Sequence, residues 1–320
     1  MDSTSWPRVA VVGAGAVGGY FGGMLARAGA HVTLIGRPSH VDVWKRDGLA
    51  LDSIHFQERI SVEASTDIAA SADAELVLFS VKSYDTEETA RQLFRHVGSD
   101  ALIVSLQNGV DNVERIRAAA ALDPIAAVVY VASSMPEPGR VKHAGRGDIV
   151  IGDFPGRSGP ARDAAIARVS KWFETTGVPC RVSQHIDVDL WTKLIVNAAL
   201  NAISAVAQVP YGRVVATPES RETVGRVVTE CVAVARADGV SMPDDVDFVE
   251  MVLRFAEDNG HVYSSTARDL ARGTRTEIDA LNGFVVRRGA SRGVPTPVNQ
   301  SLVALVKLRE GLQTQLTECR

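Results

Sequence analysis

The 320-residue chain predicts an α/β domain built on a parallel sheet, followed by an all-α domain. Three observations predict it. A short apolar strand, residues 9–12, runs into Gly13-Ala14-Gly15-Ala16-Val17-Gly18 and then into a helical pattern through Leu25 and Ala28. Near-continuous apolar runs follow, separated by helical segments, which is how strands covered on both faces read. From about Ile186 the pattern is helical almost to the end.

Each element has its own signal. The first helix spans residues 16–28, and Gly29 stands where a C-terminal glycine ends a helix. His31–Ile35 is the second strand; residues 75–81, 101–106 and 125–132 are the next three, and 141–152 and 178–182 close the domain. Helices are expected over 186–206, 218–238, 244–258, 276–292 and 297–312. Gly239 and Gly293 fall at helix stops, Pro243 and Pro297 at helix starts. The boundary lies near Gln184, giving domains 1–184 and 185–320 with a substrate cleft expected between them.

Composition narrows the function. Hydrophobic residues are 46% and charged residues 22%, ordinary for a soluble globular protein, and a net charge of -4 offers no electrostatic footprint for nucleic acid. No apolar run approaches membrane-spanning length, residues 125–132 being typical of the longest. The polar residues 1–7 lack the apolar core of a signal peptide. Cys180, Cys231 and Cys319 form no C-x-x-C pair, so neither zinc nor a disulfide framework is indicated, and a reducing cytoplasm is the simplest setting.

The G-x-G-x-x-G between strand and helix is the fingerprint of a Rossmann-type dinucleotide-binding domain. Gly13 allows the tight turn, Gly15 lets the backbone approach a pyrophosphate, and Gly18 lets helix and strand pack closely. The first helical amides then face the phosphates with the positive end of the helix dipole. A glycine-rich turn without a ligand is the competing reading. NAD-binding versions end strand two in an acid; here it ends Ile35-Gly36-Arg37. A guanidinium suits the 2'-phosphate of NADP, and two charge-assisted hydrogen bonds of ~1.5 kcal/mol each amount to roughly 100-fold preference. His40 and Lys45 add positive charge nearby, whereas a solvated surface arginine is the alternative.

Two more strands end in Val81-Lys82-Ser83-Tyr84 and Gln107-Asn108-Gly109, on the side of the sheet where ligands bind. Alone, Lys82 reads as a surface charge and Asn108-Gly109 as a turn. In the helical half, Lys193, Asn197 and Asn201 recur at i, i+4 and i+8 on an otherwise apolar helix. Over ~12 Å of rise they would line a groove with the lysine at one end; a solvated polar stripe competes. Ser265 and Glu277 sit near helix starts and read from spacing alone as a cap and a dipole partner.

Taken together, these pieces resemble the ketopantoate reductase family, which reduces 2-dehydropantoate to pantoate with NADPH. The resemblance spans nearly the whole chain: residues 13–18, 81–84, 107–109, Lys193-Leu194 with Asn197 and Asn201, and 264–265 through 276–279 to Asn282-Gly283. It implies Lys193 as catalytic lysine and Glu277 as the acid that helps to hold the substrate. It also implies Asn108, Asn197, Asn201 and Ser265 as substrate contacts. Cofactor binding is expected at Gly13, Ala14, Gly15, Ala16, Val17 and Gly18 from the fingerprint, at Arg37 from the end of strand two, and at Lys82 and Asn108. One position departs: the family's asparagine in a Pro-Asn-Gly segment is replaced in Pro210-Tyr211-Gly212. The expected partner is therefore a small 2-keto acid. The alternatives are another branched or hydroxylated 2-keto acid, or a regulatory NADP-binding protein without turnover. A homodimer through the helical half is compatible with the sequence, although no stripe demands one.

Overall fold

The apolar run Arg8–Val12 forms β1 near the middle of a ten-stranded sheet. The computed structural model describes residues 6–157 and 159–318. They divide into two compact units between Asp189 and Leu190, inside the first turns of a helix and so past Gln184.

In chain order the first unit comprises β1 (Arg8–Val12), α1 (Ala16–Arg27), β2 (His31–Ile35), α2 (Pro38–Asp47), β3 (Leu49–Ser53), β4 (Gln57–Ile60), β5 (Glu63–Ser65), β6 (Leu76–Phe79), α3 (Thr86–Phe94), β7 (Leu102–Ser105), α4 (Asn112–Ala119), β8 (Ile125–Glu137), β9 (Arg140–Gly152), α5 (Pro160–Thr175) and β10 (Cys180–Ser183). The strand order is β4-β3-β9-β8-β7-β6-β1-β2-β5, with β10 beside β9. From β5 to β8 all neighbours are parallel, while β8–β9 and β3–β4 are antiparallel. The sheet is thus a parallel Rossmann-type half extended by a mixed half. Strands β3, β4 and β5 carry charged or polar residues (Asp52, Gln57, Glu58, Arg59, Glu63), which is why they do not read as apolar runs.

Period-two alternation places the cores. Val9, Val11, Leu76 and Leu78 face one cluster with Phe21, Leu25 and Phe173; Ala10, Val12, Val77 and Phe79 face the other with Ala90, Leu93 and Ile116. Both faces are therefore covered, and the unbroken apolar strands follow from that. Helix α1 carries glycines on its inner side because it lies so close: a Cβ on Gly22 would stand 2.6 Å from Val11 Cγ2.

The second unit contains most of α6 (Ile186–Ala207), then α7 (Tyr211–Val214), α8 (Pro218–Ala237), α9 (Phe248–Asp258), α10 (Ser265–Ala271), α11 (Asn282–Arg292) and α12 (Pro297–Glu318). Three expectations need correction. Pro243 does not start a helix; α9 starts at Phe248, where Asp247 accepts from the Glu250 amide as a side-chain cap. The helix expected from Thr276 begins at Asn282, because Leu281 leaves the helical region (φ -102, ψ -104) and residues 277–281 form a turn. Helix α6, 22 residues long, is apolar and long enough to cross a membrane by length and composition, with 61% of its most apolar window buried inside the fold. Its Trp191 packs on Phe284 of α11 at 5.6 Å between ring centroids.

Burial also sets thiol chemistry. It pushes the Cys180 thiol up to about 11 and the Cys231 thiol up to about 12; Cys319 lies outside the described residues. Neither buried thiol should react with an aromatic disulfide reagent at pH 8 until the protein is denatured. Peptide mapping checks this, and a native-state adduct on Cys231 would contradict the packing.

Candidate active site

Strands β7, β6, β1 and β2 are neighbours and parallel. The loops leaving their carboxyl ends consequently stand in a row: residues 106–109, 80–85, 13–15 and 36–37. The chain goes from β1 outward to β2 on one side and returns to β6 on the other, so β1 and β6 flank the switch point where open α/β sheets bind ligands.

The glycine turn is shaped for a phosphate group. Gly13 has φ +82, and a Cβ there would meet Val81 Cα and N at 2.7 Å. A Cβ on Gly18 would run into Ser80 Oγ and stand 2.8 Å from Val11 Cγ1. Gly15 differs: φ is -87, and the nearest atom to an added Cβ is Gly13 O at 3.8 Å. Neither backbone angle nor packing requires glycine there, so the open space suits a group approaching from outside. The α1 N-terminus has no side-chain cap and no acid in its first turn, which leaves the amides of its first turn without an intrahelical acceptor. These residues fit the pyrophosphate of a dinucleotide.

Ile35 O accepts from both Gly13 N (3.1 Å) and Ala14 N (2.9 Å), which holds the end of β2 against this turn. Arg37 follows two residues later as the N-cap of α2, with an exposed side chain. His40 does not add the expected charge. Its Nδ1 accepts from Gly139 N at 3.2 Å, and burial, with Arg37 nearby, holds its pKa below the usual imidazole value. Lys45 is exposed in the last turn of α2.

Ser80, which the sequence reading missed, pins the turn from β6: its Oγ donates to Gly13 O at 3.0 Å and its N–H to Val12 O at 2.9 Å. A polar residue closing the apolar run of β6 is the signal that could have found it. Lys82 is half-buried and precedes a short 3-10 turn, Ser83–Asp85. Asn108 is half-buried, its carbonyl accepting from Asn112 Nδ2 at 2.8 Å, and Gly109 turns the chain at φ +104.

In the helical unit the polar face of α6 is graded. Lys193 and Asn197 are half-buried and Asn201 is 3% exposed, so the stripe passes out of solvent toward its Asn201 end. Tyr211 OH donates to Asn201 Oδ1 at 2.8 Å, and burial pushes this phenol up to about 12. Ser264 Oγ donates to Asn201 O at 3.3 Å and caps α10 by accepting from Ala267 N. The cap is therefore Ser264, and Ser265 is the exposed first residue of α10.

Glu277 is 8% exposed on the turn before α11. That turn is tied down: Thr276 N donates to Glu310 Oε1 at 2.7 Å, Thr276 Oγ1 accepts from Ile278 N at 3.2 Å, and Lys307 pairs with Asp279 at 2.7 Å. Asn282 is fully buried, and its Nδ2 donates to Ala198 O of α6 at 2.9 Å and to Asn299 Oδ1 at 3.0 Å. Asn282 thus braces α6 one residue beyond Asn197. Within this unit, Asn201, Tyr211 and the α10 N-terminus meet directly, and Glu277 lies on a turn that α12 fixes.

A strand–glycine–helix turn on a parallel sheet, followed in the chain by an all-helical unit whose lysine- and asparagine-bearing helix face runs from half-buried to buried, is the arrangement of two-domain dinucleotide-dependent oxidoreductases. Residues 9–156 match the family described as "Ketopantoate reductase PanE/ApbA", and residues 185–310 match its C-terminal counterpart. The chain belongs to the ketopantoate reductase family. It is 36% identical to a 2-dehydropantoate 2-reductase of Halobacterium salinarum over 306 residues, 95% of this chain and 99% of that protein. The crystal structure of a PanE/ApbA family ketopantoate reductase from Ralstonia eutropha superposes with a TM-score of 0.88 at 46% identity, covering 96% of this chain and 99% of that one. A D-mandelate dehydrogenase solved with NADH and anilino(oxo)acetate shares the fold (TM-score 0.86, 24% identity, 96% and 99% coverage).

Proposed function

We propose that this chain is an NADPH-dependent 2-dehydropantoate 2-reductase acting in the cytoplasm, reducing the 2-keto carbon of 2-dehydropantoate to give pantoate. The observation that carries the reading is the α6 face: a lysine and two asparagines, one turn apart, running from half-buried to buried in an apolar helix. Family membership supports the reaction class.

Bound NADPH would supply the hydride, which carries both electrons of the reduction. The first-turn amides of α1 and the open face of Gly15 hold the pyrophosphate, and Arg37 pairs with the 2'-phosphate. Lys82 and Asn108 flank the cofactor, with Asn108 also reaching the substrate. As the keto carbon is reduced, negative charge grows on its oxygen. Lys193 balances that charge and then gives the oxygen its proton. Lysine suits this better than arginine, which does not release a proton in proteins. Asn197 and Asn201 orient the keto acid and the lysine, while Glu277 and Ser265 take the hydroxyl end.

The test is oxidation of NADPH and of NADH, followed at 340 nm, with 2-dehydropantoate as substrate. NADPH should be preferred by roughly 100-fold in kcat/KM, the size expected of two charge-assisted hydrogen bonds. Equal rates with both cofactors would remove the role given to Arg37. Tyr211 favours a second reading, a reductase of another branched or hydroxylated 2-keto acid, because its hydroxyl takes Asn201 Oδ1 where the family carries asparagine at this position. A panel of 2-keto acids decides between them: a kcat/KM for another acid above that for 2-dehydropantoate establishes the second.

A further inference from the structure

The loops after β6 and β7 are joined by a side chain to which the reaction gives no role. Gln107 is 6% exposed and points across the sheet end. Its Nε2 donates to Val81 O at 3.1 Å and to Thr86 Oγ1 at 2.8 Å, and its Oε1 accepts from Ser105 Oγ at 3.2 Å. Thr86 Oγ1 passes the link on, donating to Ser83 O at 2.9 Å. Arg115 of α4 donates to the same carbonyl at 2.6 Å, with its other N–H groups on Glu87. Lys82 O accepts from Asp85 N at 2.9 Å. Three successive carbonyls, those of Val81, Lys82 and Ser83, are therefore all engaged, two of them through Gln107 and Thr86.

The consequence is specific to Lys82. A lysine has a flexible stem and pays for any fixed position in rotamer entropy. Here its backbone is held on both flanks, while Gln107 is the residue directly before Asn108. One buried amide thus sets the position of the turn bearing Lys82 relative to the turn bearing Asn108. We infer that Gln107 is a positioning residue that couples these two loops and acts on cofactor binding through Lys82. This rests on the reading of Lys82 as a cofactor-side residue. A core glutamine needed only for packing would have no reason to share its effect with a lysine that it does not touch, one residue from Val81 and four from Thr86.

The test is a double-mutant cycle on the full-length enzyme. Gln107→Met keeps the volume and removes the donors; Lys82→Met keeps the stem and removes the charge. NADPH dissociation constants come from fluorescence titration, kcat and KM from 2-keto acid turnover, and Tm from thermal melts. Each single variant should weaken NADPH binding by about 10-fold, the worth of one or two hydrogen bonds. The double variant should bind no more than about 2-fold worse than Lys82→Met, because neighbours sharing one interaction are not additive. Thr86→Val, which removes the same link from its other end, should reproduce Gln107→Met and serves if that variant does not fold. Multiplying effects in the double variant, or wild-type affinity in Gln107→Met and Thr86→Val, would overturn the inference while leaving the Lys82 reading in place. Wild-type affinity in Lys82→Met removes the Lys82 reading itself and the inference with it.

Discussion

Lys193→Ala should lower kcat for 2-keto acid reduction by about 1,000-fold or more, leaving the NADPH dissociation constant unchanged. The size follows from two functions lost at once, since proton donation contributes about 100- to 10,000-fold and one donor to a developing oxyanion about 100- to 1,000-fold. In barrier terms this is about 4 kcal/mol or more. Packing cannot account for so large a loss of rate, because Lys193 is half-buried and its apolar neighbours Leu194 and Ile195 remain. Lys193→Arg separates charge from proton: it keeps the cation and cannot release a proton, so it should recover only the electrostatic part. Near-normal turnover in Lys193→Ala would end the proton-donor assignment, and a parallel rise in the NADPH dissociation constant would relocate the lysine's role to binding.

What the chain discloses before folding depends on how local the cause is. The strand–glycine–helix unit at residues 8–27 was legible because every cause sits within it: apolar alternation, a turn that only glycine tolerates at Gly13, and a helix whose close packing admits no Cβ at Gly18. The stripe of Lys193, Asn197 and Asn201 was legible for the same reason, since one helical period places all three. The start of α11 was not, because the break at Leu281 leaves no mark such as proline or glycine, and Thr276 with Glu277 imitates a helix start. What holds that turn, Glu310 and Lys307, comes from more than 25 residues away. Ser80 on Gly13 and Tyr211 on Asn201 are likewise long-range or cross-helix pairings that spacing cannot announce. Arg37 shows a further limit: sequence supplied the residue, whereas the two amides on Ile35 O that bring β2 to the glycine turn had to be seen. The expected help from His40 failed because burial and a backbone partner outweigh its nominal charge.

The glycines of the turn allow a sharper experiment than their removal as a group, because each is glycine for a different reason. At Gly13 a side chain would occupy a left-handed backbone (φ +82) and stand 2.7 Å from the Val81 backbone, which cannot move without shifting the loop that carries Lys82. Gly13→Ala should therefore destabilise the free protein, by about 1–3 kcal/mol for the strained conformation alone, and weaken NADPH as well. At Gly15 the backbone (φ -87) accepts any residue and nothing lies within 3.8 Å of the added carbon. Gly15→Ala should leave the Tm of the free protein unchanged and yet weaken NADPH by about 10- to 100-fold, as expected when a methyl group intrudes on a close contact. The contrast isolates the ligand from the fold: a variant that melts like wild type but no longer holds the cofactor has lost something that exists only in the complex. If Gly15→Ala binds NADPH normally, the pyrophosphate does not lie against this turn. If it lowers the Tm as Gly13→Ala does, the space beside Gly15 belongs to the fold rather than to a dinucleotide.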